Sequence, residues 1–190
     1  PHVIAFTGCG VQARSHLDIF AVMYPLTEIR ALGRGQMNRD TLLKRASARG
    51  LDAMAATDGR TAIADADLVI TSVPSYIGMT PFMDARDLKP GAFVAMVDLS
   101  RTWFPDSLEA VHRIIIDDRV QEATMSKPMV EPGLVAGDLQ DLVSGRVTGR
   151  VRAKERTAFA FRGLAIGDLA LASLAFDTAR AKGFGCELLR

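Results

Sequence analysis

Three small residues near the start of the chain, Gly8, Gly10 and Ala13, are spaced Gly-x-Gly-x-x-Ala. A short apolar run over residues 3–7 precedes them, and a helical pattern opens at Val11. Small residues at this spacing between a strand and a helix suit the binding of a dinucleotide pyrophosphate. A glycine at position 8 takes the positive φ of a tight strand-to-helix turn. At position 10 the missing Cβ lets a phosphate approach the backbone, and Ala13 lets the helix lie close on the strand. The N–H groups of Val11, Gln12 and Ala13 then face the anion, helped by the helix dipole. The competing reading is a bare structural turn. Cys9 completes the turn, where packing or redox sensitivity fits better than a disulfide to distant Cys186.

The next informative residues are Gly33-Arg34-Gly35, after a second strand pattern over 28–32. Folds selective for NAD place an Asp or Glu here for the ribose 2′-hydroxyl. This chain has an arginine and no acid, with Asn38 and Arg39 close behind. That favours the 2′-phosphate of NADP over NAD. The alternative is that Arg34 only stacks on adenine or caps the next helix. Thr71, Ser72 and Ser75 at the end of a fourth strand line the expected cofactor groove, with Val97 at the end of a fifth. Each of these hydroxyls is equally ordinary at a strand end. His16 has no second His or Cys nearby, so it reads as a packing or surface residue rather than a metal ligand.

The elements that must position these groups alternate. Strand patterns run over 3–7, 28–32, 51–56, 68–73, 92–97 and 113–116. Helical patterns run over 11–24, 37–49, from Asp58 to 64 and over 107–111. Such alternation predicts an α/β fold with a doubly wound parallel sheet, the Rossmann dinucleotide-binding arrangement. Beyond it, 126–137 reads as a connection, 139–143 as a short helix and 157–161 as an edge strand. Residues 164–182 form a long helix, apolar nearly all round, which is expected to be buried on several sides against a second domain or subunit.

With 48% apolar and 24% charged residues in 190, the composition is that of one globular domain with an appendage. A net charge of +1 gives no general pull toward nucleic acid or acidic membranes. The two cysteines have no metal-ligand spacing, so no metal site is expected, and the default setting is reducing and cytoplasmic. No signal peptide or bilayer-length apolar run is present. The sequence opens directly on the first strand, so either the fold begins there or a segment before it is missing.

Gly-Cys-Gly-Val-Gln-Ala (8–13) resembles the glycine turn of the ornithine cyclodeaminase/μ-crystallin family, Gly-x-Gly-x-Gln-Ala. Further segments agree in order: Ala66–Thr71, Pro90–Val94, Ile116-Asp117-Asp118, Gly145–Arg150, and Gly163-Leu164-Ala165-Ile166-Gly167-Asp168. The resemblance covers essentially the whole chain. It implies that residues 1–150 form the dinucleotide-binding domain, and that the strand and helix of 151–190 return to a largely absent N-terminal dimerisation and substrate domain. It also implies a homodimer acting on a small amino or imino acid with NADP or NAD. The expected chemistry is hydride transfer at the α-carbon, as in a cyclodeaminase, a ketimine reductase or an alanine dehydrogenase. A non-enzymatic NADPH-binding protein of μ-crystallin type is the rival.

There are departures from the family pattern. The family's fifth strand runs His-Val-Asn-Ala-Val-Gly, where this chain has Phe93-Val94-Ala95-Met96-Val97-Asp98. In that register Ser100 takes the catalytic-acid position of the cyclodeaminases, and Asp98 stands on the usual glycine. Asp98 or Ser100 is therefore the candidate proton-handling or water-orienting group, the alternative being that Asp98 caps the loop. Asp168 reads as an N-cap or inter-domain contact rather than a catalyst.

Overall fold

The computed structural model describes residues 1–74, 76 and 78–186. Eight strands form one sheet, β1 (Val3–Thr7), β2 (Glu28–Leu32), β3 (Asp52–Ala55), β4 (Leu68–Thr71), β5 (Phe93–Met96), β6 (Arg113–Ile116), β7 (Val135–Asp138) and β8 (Thr157–Ala160). Their order is β3-β2-β1-β4-β5-β8-β6-β7, and every pairing is parallel. Strand order reverses between β1 and β4, which opens a crevice at their carboxyl ends. In register Ile4 lies beside Ile29 and Leu68, and Thr7 beside Leu32 and Thr71. The strand ends that carry the glycine turn and Ser72 are thus neighbours.

A parallel sheet needs both faces covered. On one face α1 (Val11–Met23) and α2 (Gln36–Ser47) bury Ile4, Phe6, Ile29 and Ile70 with their own Ala13, Leu17 and Leu42. On the other, α3 (Gly59–Ile63) and the loops around Met83, Leu88 and Trp103 cover Ala5, Val69, Val94 and Ala158. Asp58 caps α3, as expected, through a reciprocal box in which its carboxylate accepts from the Thr61 N–H at 2.8 Å. Asp18 joins the first two helices, accepting from Arg45 at 2.7 Å and from Arg49 at 2.5 Å. His16 is half-buried, its ring within hydrogen-bonding distance of the Gln12 carbonyl.

Several expectations need correction. The strand at 157–161 is not an edge: β8 lies between β5 and β6, pairing Ala158 with both Val94 and Ile114. It belongs to the same sheet as the glycine turn, so a division at residue 150 cuts through one sheet. The stretch 126–137, read as a connection, contains the start of β7, a four-residue edge strand whose Gly137 and Asp138 weaken any strand pattern. A short helix, α4 (Arg119–Ala123), was also hidden in the sequence, although its Asp118 cap accepts from Gln121 N–H at 2.8 Å. After α5 (Leu139–Val143), the last helix, α6 (Ala165–Ala181), forms where expected and lies off the sheet's core. None of its residues is buried, and Leu169 and Leu171 are 66% and 70% exposed. Asp168 sits in its first turn, and Leu164 is the cap. No described helix is long and apolar enough to cross a membrane.

Candidate functional site

Gly8 follows β1 directly, and its N–H donates to the Leu32 carbonyl at the end of β2 at 2.9 Å. Its φ is +91°, and a Cβ there would lie 2.7 Å from the Ser72 carbonyl oxygen. Conformation and close packing on the β4 end both demand glycine. Gly10 differs: its φ is −77°, and a Cβ would meet nothing within 4 Å. The turn therefore leaves open space beside Gly10, at the N-terminus of α1. The N–H groups of Val11, Gln12 and Ala13 have no intrahelical acceptor. No side chain caps them, and the first turn holds no acid. The residues present fit an anionic diphosphate against these donors.

The turn forms the floor of a cleft of about 1340 Å³. Gly8, Cys9, Gly10, Val11 and Gln12 line it, as do Arg34, Ser72 and Val97. This brings together most of the residues read from the sequence as cofactor-binding. Ala13 is fully buried and packs α1 on the sheet instead, which is the role its small size implies. Ser72 donates weakly to the Gly8 carbonyl at 3.4 Å. Ser75 lies outside the described residues. Cys9 is buried, with its Sγ 3.5 Å from the Leu32 carbonyl. Burial pushes its thiol up to about 11, against the pull of the nearby Arg39 guanidinium, so it stays protonated and unreactive at neutral pH.

The far wall of the cleft is cationic. Arg34 stands exposed after β2, and no acid follows that strand before α2. Arg39, on α2, also lines the cleft. Its Nε is buried and makes no hydrogen bond among the described residues, with the Asp40 carboxylate 3.7 Å away. Arg14 reaches the Cys9 carbonyl at 3.3 Å and Asn38 Oδ1 at 3.5 Å. Tyr76, which the sequence reading did not single out, comes from the segment after β4 and lies under the Arg34 guanidinium, 5.2 Å from ring centre to Cζ. Nothing in its neighbours' types marks it; only the tertiary contact does.

At the other end of the cleft, Asp98 is 5% exposed and both its oxygens are engaged. Thr71 and Thr102 each donate to one of them at 2.8 Å. Trp103 Nε1 donates to Thr71 Oγ1 at 3.4 Å, extending the buried chain. Burial pushes the Asp98 carboxyl above its ordinary value, against the opposing pull of the two hydroxyls. Thr71 thus serves this network and does not line the cleft. The next residues, Leu99 and Ser100, take φ of +59° and +55°, a left-handed pair without glycine. Ser100 turns away from the cleft, and its hydroxyl donates to the Leu99 carbonyl at 2.7 Å and to the Met129 carbonyl. Asp98 and Ser100, the alternative proton-handling candidates, thus both have their side chains engaged within the chain. Asp117, at the end of β6, accepts from the N–H groups of Arg162 and Gly163 at 2.8 and 2.6 Å and clasps the chain leaving β8.

The chain has relatives among known proteins. The sequence profile of the ornithine cyclodeaminase/mu-crystallin family matches residues 1–183. Ketimine reductase mu-crystallin of Mus musculus is 28% identical over 180 residues, covering 93% of this chain and 55% of its own length. An archaeal alanine dehydrogenase dimer with bound NAD superposes with a TM-score of 0.83 at 22% identity, over 99% of this chain and 60% of that one. The Δ1-pyrroline-2-carboxylate reductase of Thermococcus litoralis, in complex with NADH and L-proline, gives 0.82 at 18% identity, over 98% and 61%. The two superpositions show a shared fold. The chain spans little more than half the length of these proteins. With the profile matching nearly its whole length, the chain belongs to the ornithine cyclodeaminase/mu-crystallin family.

Proposed function

We propose that this chain is the nucleotide-binding part of an NAD(P)-dependent oxidoreductase that acts at the α-carbon of a small amino or imino acid in a cytoplasmic setting. The observation that carries the reading is the glycine turn, with three uncapped N–H groups beside open space at Gly10, on the floor of a cleft large enough for a dinucleotide. The relatives' names supply the chemistry: a ketimine reductase, an alanine dehydrogenase and a pyrroline-2-carboxylate reductase. When bound, the nicotinamide supplies or accepts a hydride at the substrate α-carbon. The chain's own part is to hold the diphosphate on α1 and to build the cleft wall from Val97 and Leu99. Arg34 and Arg39, with no acid between β2 and α2, favour NADP over NAD.

Imine reduction or amine oxidation fits better than ring-closing deamination. Ser100, in the position of the cyclodeaminase acid, donates to a backbone carbonyl, and Asp98 is occupied by two threonines. Asp98 is thus a positioning residue for the cleft wall rather than the proton-handling group. A non-enzymatic NADPH-binding protein of μ-crystallin type would use the same cleft without turnover. The exposed apolar α6 supports docking against the rest of a longer protein in a homodimer.

Separate calorimetric titrations of NADPH and NADH into the purified chain test the reading. Tighter binding of NADPH is expected. Tighter NADH would keep the dinucleotide site and remove the arginine argument, and heat from neither would overturn the reading. Consumption of reduced nicotinamide with cyclic imino acids by the longer protein then separates an enzyme from a binding protein.

A further inference from the structure

Tyr76 and Arg34 meet across the cleft. Arg34 follows β2 and Tyr76 follows β4, and these strands flank β1, so the pair spans the glycine turn. The Arg34 guanidinium carbon lies 5.2 Å from the Tyr76 ring centre, and Arg34 Nη1 donates to the Tyr76 hydroxyl at 3.3 Å. Both side chains line the cleft.

An exposed arginine side chain has many rotamers, and ordering it on a ligand costs entropy. The aromatic face and the phenol oxygen restrict Arg34 before any ligand arrives. Only one of its five N–H donors is used by Tyr76. The others remain for an anion on the β2 side of the cleft, which Arg39 also lines. Two guanidiniums on that side, one of them held by a ring, match a phosphomonoester better than a ribose hydroxyl.

We propose that Tyr76 is a specificity-determining positioning residue: it holds Arg34 where a 2′-phosphate sits, and so sets the preference for a phosphorylated dinucleotide. This rests on the dinucleotide reading given above. A ring that merely stacked on adenine would serve NADPH and NADH alike. A ring that acts through Arg34 serves NADPH alone.

The test is the ratio of NADPH to NADH dissociation constants, measured by calorimetry on the whole chain. Tyr76→Ala is expected to weaken NADPH about 3- to 30-fold, the range of a cation–π contact, and to leave NADH within about twofold. Tyr76→Phe keeps the ring and restores most of the preference. In an Arg34→Ala background, Tyr76→Ala changes the ratio no further, because the residue it positions is gone. An unchanged ratio, equal loss for both nucleotides or a wild-type preference for NADH overturns the proposal. If the wild type binds both and Gly10→Ala weakens both, such a result leaves the dinucleotide reading intact. If the wild type binds neither, the reading and the proposal fall together.

Discussion

A Cβ at Gly8 would press on the Ser72 carbonyl from 2.7 Å in a residue already at φ +91°, whereas one at Gly10 would enter empty space. Two glycines of one motif therefore answer to different requirements, the first to the fold and the second to the ligand. Gly8→Ala is expected to cost about 2–4 kcal/mol from strain and overpacking. That corresponds to a fall in Tm of roughly 5–15 °C for a domain of this size, read by calorimetry. Gly10→Ala is expected to leave Tm within about 2 °C, since surface changes of this kind stay within ~0.5 kcal/mol. Its dinucleotide affinity should fall at least about tenfold, because the added methyl occupies the phosphate's approach. Equal effects of the two substitutions on Tm would contradict the assignment.

Between elements, Asp98 ties the end of β4 to the turn after β5, through Thr71 on one side and Thr102 on the other. The tie holds Leu99 and Ser100 in their left-handed conformation beside the cleft. Burial raises the folded-state value of this carboxyl above its ordinary one. Between the two values the native chain binds more protons than the unfolded chain. Asp98 thus lowers stability progressively as pH rises through that window. Asp67 has the opposite sign. Burial raises it, but the Lys89 ammonium and the backbone N–H groups of Val3 and His2 outweigh burial and hold it below the usual carboxylate range. Its contribution is present above the ordinary value and is lost on acidification. Asp98→Asn is therefore expected to gain stability relative to the wild type as pH rises from about 4 to neutrality. Urea unfolding at the two ends of that range measures it, and a pH-independent difference would show that burial does not raise the Asp98 carboxyl.

At the scale of the whole molecule, the sheet and its covering helices hold the buried core, and α6 is not part of it. Ile166, Leu169, Leu171, Leu174 and Phe176 are all largely exposed along the 17-residue helix. Burying one such side chain contributes about 1.5–3 kcal/mol, so a free helix of this kind drives association. The chain alone is expected to self-associate in size-exclusion chromatography at micromolar concentration. Leu171→Glu with Leu174→Glu should shift it toward monomer while leaving Tm within about 2 °C, because these side chains touch no buried core. A monodisperse wild-type monomer would remove the association argument.

Much of this protein was legible in one dimension. The parallel α/β class, the first six strands and the glycine turn follow from local signals: alternating periodicities, caps, and small residues whose missing side chains state what must come close. The missing acid after β2 was equally readable, because it concerns a residue type at a fixed distance from the turn. The rest depends on which strand ends are neighbours, and local sequence does not encode that. The central position of β8 arises because β5 and β6 leave a gap that only a later strand fills. The pairing of Tyr76 with Arg34 and of Asp98 with Thr71 and Thr102 joins residues 42, 27 and 4 positions apart. The family resemblance put Ser100 in the place of a catalytic acid, yet the turn that carries it points its hydroxyl at Met129. The sequence by itself determined what kinds of group are present and the layers they lie in. Tertiary packing decided which of them face the cleft and which are consumed in holding it open, because a side chain's direction follows from the backbone around it and from the partners already satisfied.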